Sequence, residues 1–138
     1  MNVYRWMEHT GEVELEIESE SERGVFAEAL AAVSELLQDS DGDEPGAGEP
    51  RVERAISVAA EDRPRLFAAW LGELAFLAET EGFVPAGLPE LQVGDRIVHA
   101  TVLGRIADPP HLIKAVTYHR LAFEPYGDHW RAQAVLDV

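Results

Sequence analysis

The segment 12–18, EVELEIE, constrains the fold more than any other part of this chain, because it alternates strictly between acidic and apolar residues. In an extended strand, Val13, Leu15 and Ile17 would lie on one face and the four glutamates on the other. A helix would scatter these residues around its axis, so the pattern predicts a strand that is buried on one side only. The apolar segment VYRWM at 3–7 precedes it by a short polar connection, which predicts an initial hairpin.

Two helical patterns follow the hairpin. Apolar residues recur every three or four positions over 22–38, after a capping residue at Ser21, and again over 64–79. Between the helices, alternating apolar residues over 51–60 predict a strand. The segment 39–50 is rich in Gly, Pro and acidic residues and has no apolar anchor, so we expect a mobile acidic surface loop there.

The last third of the chain is typical of β structure. Strand patterns cover 91–93, 97–106, 113–123 and 130–138, and Gly, Pro and Asp residues separate them. Two amphipathic helices and about seven strands, mostly in hairpin succession, predict an α+β fold. We expect a two-layer sandwich in which both helices pack on one face of a mainly antiparallel sheet, and 1–138 as a single domain.

Composition excludes several classes of protein. The chain has 26 acidic and 11 basic residues, a formal net charge of −15, so no direct stable binding of nucleic acid is expected. It has no cysteine, which excludes disulfides, zinc–thiolate sites and a cysteine nucleophile. No apolar stretch approaches the length of about 18 residues typical of a membrane helix, and the N-terminus lacks the features of a signal peptide. We therefore expect a cytoplasmic protein without a membrane partner.

Lys114 is the single lysine of the chain, beside ten arginines. A GC-rich genome would account for the bias towards arginine. A lysine ammonium is nevertheless a compact point charge, and a position that requires one would resist replacement by arginine. Both explanations remain open from the residues alone.

Common catalytic motifs are missing from the sequence, including G-x-S-x-G, H-E-x-x-H and a Gly-rich phosphate loop. The turn at 9–12 could present an imidazole, a hydroxyl and a carboxylate together, or it could be an ordinary capped turn. The segment 114–119, KAVTYH, would place Lys114 and Tyr118 on one face of a strand and His119 on the other. Its alternative is an ordinary strand with an exposed lysine.

The C-terminal residues offer a third candidate site. If the last strand is docked, the Asp137 side chain and the terminal carboxylate of Val138 are anionic groups one residue apart. Hard cations such as Ca²⁺ and Mg²⁺ bind oxygen ligands of this kind, and Glu12 could complete the cluster. The alternative is a frayed chain end.

Four short motifs occur in one order along nearly the whole chain: HTGE at 9–12, TEGF at 80–83, KAVTYH at 114–119 and LDV at 136–138. Together they resemble the archease family, small proteins that partner the RtcB-type RNA ligase. The resemblance implies a non-enzymatic activator. Such a protein promotes transfer of guanylate from GTP to the active-site histidine of the ligase, in tRNA splicing or RNA repair.

The resemblance also assigns a metal site. Glu12, Asp137 and the carboxylate of Val138 would bind a divalent cation, with Ca²⁺ favoured and Mg²⁺ or Mn²⁺ as alternatives. The family usually has Asp in the first of these positions. The longer side chain of Glu12 alters the geometry in a way that Mg²⁺ tolerates less than Ca²⁺.

Lys114 matches a lysine that the family requires for activation. It would contact either a nucleotide phosphate or a carboxylate of the ligase, and the sequence leaves both open. His9, Tyr118 and His119 are further candidates for a supporting role, because they belong to the same motifs.

Two other functions compete with this one. A general interaction module or chaperone would use the acidic surface and would be indifferent to loss of Lys114. A metal-dependent hydrolase built on Glu12, Asp137 and His9 would turn over substrate with no partner, although the sequence offers no clear pairing of base and nucleophile.

Overall fold

The structure, a computed structural model, describes residues 2–38 and 51–138, so the predicted acidic loop at 39–50 lies outside the described residues. Helices and antiparallel strands make up this part of the chain, which confirms the predicted α+β class. The elements are, in chain order, β1 (Val3–His9), β2 (Glu12–Ser19), α1 (Glu22–Leu37), β3 (Val52–Ala59), α2 (Arg63–Glu81), β4 (Phe83–Val93), β5 (Ile97–Ile106), β6 (Ala115–Tyr126) and β7 (His129–Asp137).

The described strands form two antiparallel sheets. One has four strands in the order β1-β2-β7-β6, and the other has three in the order β3-β5-β4. The helices join the sheets: α1 contacts β1, β2 and β7 of the larger sheet and β4 of the smaller, whereas α2 contacts β6 of the larger sheet and all three strands of the smaller. The apolar core therefore lies between the helices and both sheets.

The alternating segment forms β2, as predicted. Val13, Leu15 and Ile17 are buried in the core, and β2 pairs with β1 on one side and β7 on the other. Helix α1 packs against β2, which explains why the apolar face of this strand is covered. Glu14, on the opposite face, is also buried.

Both helices begin at the capping residues that their sequences contain. The Ser21 hydroxyl accepts a hydrogen bond from the Gly24 N–H at the start of α1, 3.0 Å long. Asp62 accepts one from the Arg65 N–H at the start of α2, 2.9 Å long. Each side chain satisfies a backbone donor that has no partner within the helix. Gly82 ends α2 in the left-handed conformation, φ 68°, which glycine adopts without steric cost.

The helices are tied together through Trp70. Its indole N–H donates to the Phe26 carbonyl oxygen over 3.0 Å, and the two rings meet edge to face. Phe67 and Phe123 extend this aromatic cluster towards the larger sheet. All four side chains are buried, so the cluster links both helices with β6 at the centre of the core.

Strand β4 is longer than the sequence predicts, since it covers Phe83–Val93 whereas the alternation indicated only 91–93. The segment contains Pro85 and Pro89, and proline lacks the N–H that a central strand needs. β4 tolerates both because it lies at the edge of its sheet and its register shifts on either side of Gly87.

No helix in residues 2–38 and 51–138 has the length and hydropathy required to cross a membrane.

Candidate functional site

The register of the four-stranded sheet brings the N-terminal turn and the C-terminus together. Glu12 pairs with His9 on one side and with Asp137 on the other, and Asp137 in turn pairs with Ala115. Directly opposed residues of antiparallel strands share a face, with Cβ atoms about 4.5–5.5 Å apart. The carboxylates of Glu12 and Asp137 are therefore neighbours on the outer face of the sheet.

Main-chain hydrogen bonds dock both ends of this cluster. The Lys114 N–H donates to the Asp137 carbonyl oxygen over 2.7 Å, and the Val138 N–H donates to the Gly11 carbonyl oxygen over 3.2 Å. Lys114 thus lies just before β6 and is held against the end of β7 by its backbone. We call Glu12, Lys114, Asp137 and Val138 the tip.

The charges of the tip are not neutralised by neighbours. Glu12 and Asp137 are half-buried and Lys114 is exposed. Within residues 2–38 and 51–138, none of these three side chains makes a hydrogen bond or an ion pair. Two carboxylates and an ammonium are therefore left available for an external ligand.

The donors of the tip fit a hydrated divalent cation better than a closed metal cage. Among the described residues, no three Asp, Glu or His side chains converge on one point. Glu12 and Asp137 nevertheless provide adjacent carboxylates, and cations such as Mg²⁺ are commonly bound by one or two carboxylates together with several waters. The pair is chemically suited to a hard cation and not to zinc in a structural site, which takes four Cys or His ligands.

Tyr118 and His119 lie away from the tip. β6 pairs regularly with β7 as far as Thr117, opposite Val135, and again from Ala122, opposite Gln133. Between them four residues of β6 face one of β7, so the predicted alternation is wrong beyond Thr117. For His9 the structure places the backbone, as the residue opposite Glu12 at the end of β1.

The structure adds two residues that the sequence did not indicate. Glu14 is 4% exposed, although alternation places it with the solvated glutamates. Arg120 reaches it across the sheet, with 3.4 Å between Nη2 of Arg120 and Oε2 of Glu14. No local pattern reveals the pair, because the residues meet only through the register of β2, β7 and the irregular part of β6.

A cavity of about 460 Å³ adjoins the tip, since Val138 belongs to both. The Tyr4 hydroxyl, near the cavity, donates to the Glu35 carboxylate. Burial, followed by this hydrogen bond, raises the pKa of Tyr4 to about 12. The described residues that line the cavity are Trp6, Glu8, Val13, Glu35, Leu36, Gln38, His111 and Val138.

Comparison with known proteins gives a consistent relationship over the whole chain. The archease protein family (MTH1598/TM1083) matches residues 4–138. A protein archease of Pyrobaculum calidifontis is 30% identical over 145 residues, which cover 98% of this chain and 95% of that protein. A protein archease of Methanosarcina barkeri is 28% identical over 150 residues, with the same coverage of each chain.

Solved structures share the fold. The solution structure of protein 1598 of Methanobacterium thermoautotrophicum has a TM-score of 0.70 at 24% identity and covers 98% of both chains. The crystal structure of an archease, possible chaperone, from Thermotoga maritima has a TM-score of 0.65 at 21% identity, covering 100% of this chain and 99% of that one. The family match covers every described element except the first residue of β1, and it includes every residue of the tip. The chain therefore belongs to the archease protein family.

Proposed function

We propose that this chain is an accessory protein of an RtcB-type RNA ligase, without catalytic activity of its own, that promotes guanylylation of the ligase and so repeated rounds of tRNA splicing or RNA repair. The observation that carries the proposal is the tip itself. Register places Glu12 beside Asp137, and the backbone of Lys114 is bonded to the same aspartate. These are the residues that the archease motifs single out, and they lie together at one end of the four-stranded sheet.

A divalent cation is part of the proposal. Glu12 and Asp137, with an oxygen of Val138, would bind it, and Ca²⁺, Mg²⁺ or Mn²⁺ would each suit oxygen donors. When bound, the cation would supply positive charge for anionic groups at the interface with the ligase. Glu12 and Asp137 supply the charge that attracts the cation, and neither is committed to a described neighbour.

Lys114 would act as the contact with the ligase or with its bound nucleotide. Its main chain is fixed by the bond to Asp137, whereas its side chain is exposed and makes no ion pair with a described residue. The ammonium is therefore free to approach a phosphate or a partner carboxylate. The net charge of −15 would accelerate encounter with a cationic cleft, and the effect would weaken as salt is added.

The test is the rate of guanylylation of the RtcB-type ligase from GTP, with and without this protein and with divalent cation present. We expect stimulation by the wild-type chain and its loss in Lys114→Ala and in Asp137→Asn. Both variants should stay folded, because neither side chain is in the core or makes a hydrogen bond or ion pair with a described residue, and such changes usually alter stability by no more than about 0.5 kcal/mol.

Asp95 and Arg96 provide matched controls, since they are an exposed acid and an exposed base in the turn between β4 and β5, on the other sheet. Asp95→Asn and Arg96→Ala repeat the two changes of charge and should leave stimulation unchanged. Full stimulation by folded Lys114→Ala and Asp137→Asn would refute the proposed role of the tip.

The description of the Thermotoga maritima archease as a possible chaperone favours chaperone activity as a second candidate function. A chaperone would suppress aggregation of unrelated unfolded proteins and would not depend on Lys114. If the wild-type chain leaves guanylylation unchanged but protects such clients, and Lys114→Ala protects them equally, the chaperone function replaces the ligase function.

A further inference from the structure

The cavity of about 460 Å³ beside the tip has no part in the proposed activity. Its walls come from the end of β1 and the C-terminal end of α1, and Val13 and Val138 contribute further apolar surface. Sites for small molecules are typically cavities of about 300–1,000 Å³ that combine apolar walls with a few polar groups. The cavity has both the size and the composition of such a site.

Strand β1 contributes an aromatic ring and a carboxylate to one wall. Trp6 pairs with Leu15 and Glu8 pairs with Val13, and both partners are buried in the core. Directly opposed residues share a face of the sheet, so Trp6 and Glu8 belong to the face that packs against α1. Glu8 is exposed at the end of the strand. One wall of the cavity therefore carries an indole and, two positions further along the same face, a negative charge.

The C-terminal end of α1 contributes a second carboxylate. Glu35 is exposed, and the Tyr4 hydroxyl donates to its carboxylate. The last turn of α1 contains no basic residue that would offset the partial negative charge of a helix C-terminus. Among the described residues that line the cavity there is no Arg or Lys. The electrostatics of the cavity therefore favour a cation.

The indole N–H of Trp6 is an independent sign of a ligand. It is buried and, within residues 2–38 and 51–138, is the one buried side-chain nitrogen or oxygen without a hydrogen-bond partner. A buried donor without a partner is destabilising, and native structures contain few of them. An ammonium or a guanidinium cannot serve as the partner, because both groups only donate. The missing partner is an acceptor, such as the oxygen of a carbonyl group.

We propose that the cavity binds a small organic dication that carries a hydrogen-bond-accepting oxygen, of the class of amides of basic amino acids. One positive group pairs with Glu8 of β1 and the other with Glu35 of α1. The carbonyl oxygen accepts from the Trp6 indole N–H, and the alkyl chain lies against the apolar walls. The site is separate from the proposed role with the ligase, since no ligase residue takes part in it.

Argininamide is the probe, and agmatine is its match, because agmatine keeps the alkyl chain and both cationic groups but has no carbonyl oxygen. Each is titrated into the ¹⁵N-labelled chain without divalent metal at about pH 6.5, where the amino group and the guanidinium are both charged. Argininamide should bind about fivefold more tightly than agmatine, as expected for one hydrogen bond, and should shift the Trp6 indole N–H signal. Free arginine should bind more weakly than argininamide, because the two glutamates repel its carboxylate.

Variants of the two walls test the carboxylates. Glu8→Gln and Glu35→Gln should each weaken argininamide binding about threefold, since a single exposed ion pair contributes little. Glu28→Gln is the matched control, because Glu28 lies on α1 seven residues before Glu35 and does not line the cavity. Its affinity for argininamide should equal that of the wild-type chain.

Trp6→Phe tests the acceptor contact, because phenylalanine keeps an aromatic ring and removes the N–H. Argininamide should then bind only as tightly as agmatine, whereas the affinity for agmatine should stay unchanged. Unchanged agmatine binding also shows that the cavity of this variant is still formed.

Four results would overturn the proposal. Failure of argininamide to bind the wild-type chain removes the site, and equal affinities for argininamide and agmatine remove the acceptor contact. Unchanged affinity in both Glu8→Gln and Glu35→Gln removes the pairing with carboxylates. A loss of affinity in Asp137→Asn that is absent in Glu8→Gln would place the cation at the tip. These titrations contain no ligase, so the site and the proposed function can fail independently of each other.

Discussion

Gly104 offers a stringent test of the packing between β4 and β5. It lies buried near the C-terminal end of β5, and a Cβ atom added to it would stand 2.3 Å from the Val84 carbonyl oxygen and 2.7 Å from Cζ of Phe83. The first contact is with backbone, and the second is with a fully buried ring that has little room to move. Gly104→Ala should therefore force β4 and β5 apart locally.

The expected cost follows from the size of this overlap. Adding a methyl group to a well-packed interior typically destabilises a protein by about 1–3 kcal/mol. In a domain of this size, each kcal/mol corresponds to a change of about 4 °C in the midpoint of thermal unfolding. Gly104→Ala should thus lower the midpoint by about 4–12 °C.

Gly72→Ala is the control, since it makes the same chemical change where no atom lies within 4 Å of the new Cβ. Gly72 is in the interior of α2, where alanine is favoured over glycine by about 1 kcal/mol, so the midpoint should rise by about 4 °C. Circular dichroism during heating, together with urea unfolding, measures both variants. A Gly104→Ala protein as stable as Gly72→Ala would refute the close approach of β5 to Val84.

Two further predictions concern Tyr4 and Trp70. The pKa of Tyr4 is raised from 10.0 to about 12 in the folded chain. The protonated Tyr4 side chain should therefore stabilise the fold fully below pH 10, and this stabilisation should be lost as the pH rises through 12. An absorbance titration should show a phenol that ionises near pH 12 and is absent in Tyr4→Phe. Trp70→Phe removes the hydrogen bond from the indole N–H to the Phe26 carbonyl oxygen, which keeps its partner within α1, so urea unfolding should show a loss of about 0.5–1.5 kcal/mol. An unchanged free energy of unfolding would contradict the structural role of this bond.

Much of the local structure could be predicted because it depends on neighbouring residues. The alternation at 12–18 defined β2, the capping residue Ser21 preceded the first helix, and apolar spacing located both helices. Most of β4 cannot be predicted from the sequence, because Pro85 and Pro89 are compatible with a strand only at a sheet edge, and edge position is a property of the assembled sheet.

The candidate site was predictable as a set of residues and not as an arrangement. Glu12, Lys114 and Asp137 could be named from motifs, because carboxylates and a lone lysine have recognisable chemistry. Their proximity depends on the antiparallel register between strands at opposite ends of the chain.

By itself, the sequence determined the strand and helix types, the charge of −15 and the identity of the reactive side chains. Only the tertiary structure decided that the strands divide into two sheets, that Glu14 is buried, and that Arg120 has a left-handed backbone conformation and lies 3.4 Å from the Glu14 carboxylate. The physical reason is that alternation specifies which residues share a face, whereas burial and backbone strain depend on what the neighbouring strands place against that face.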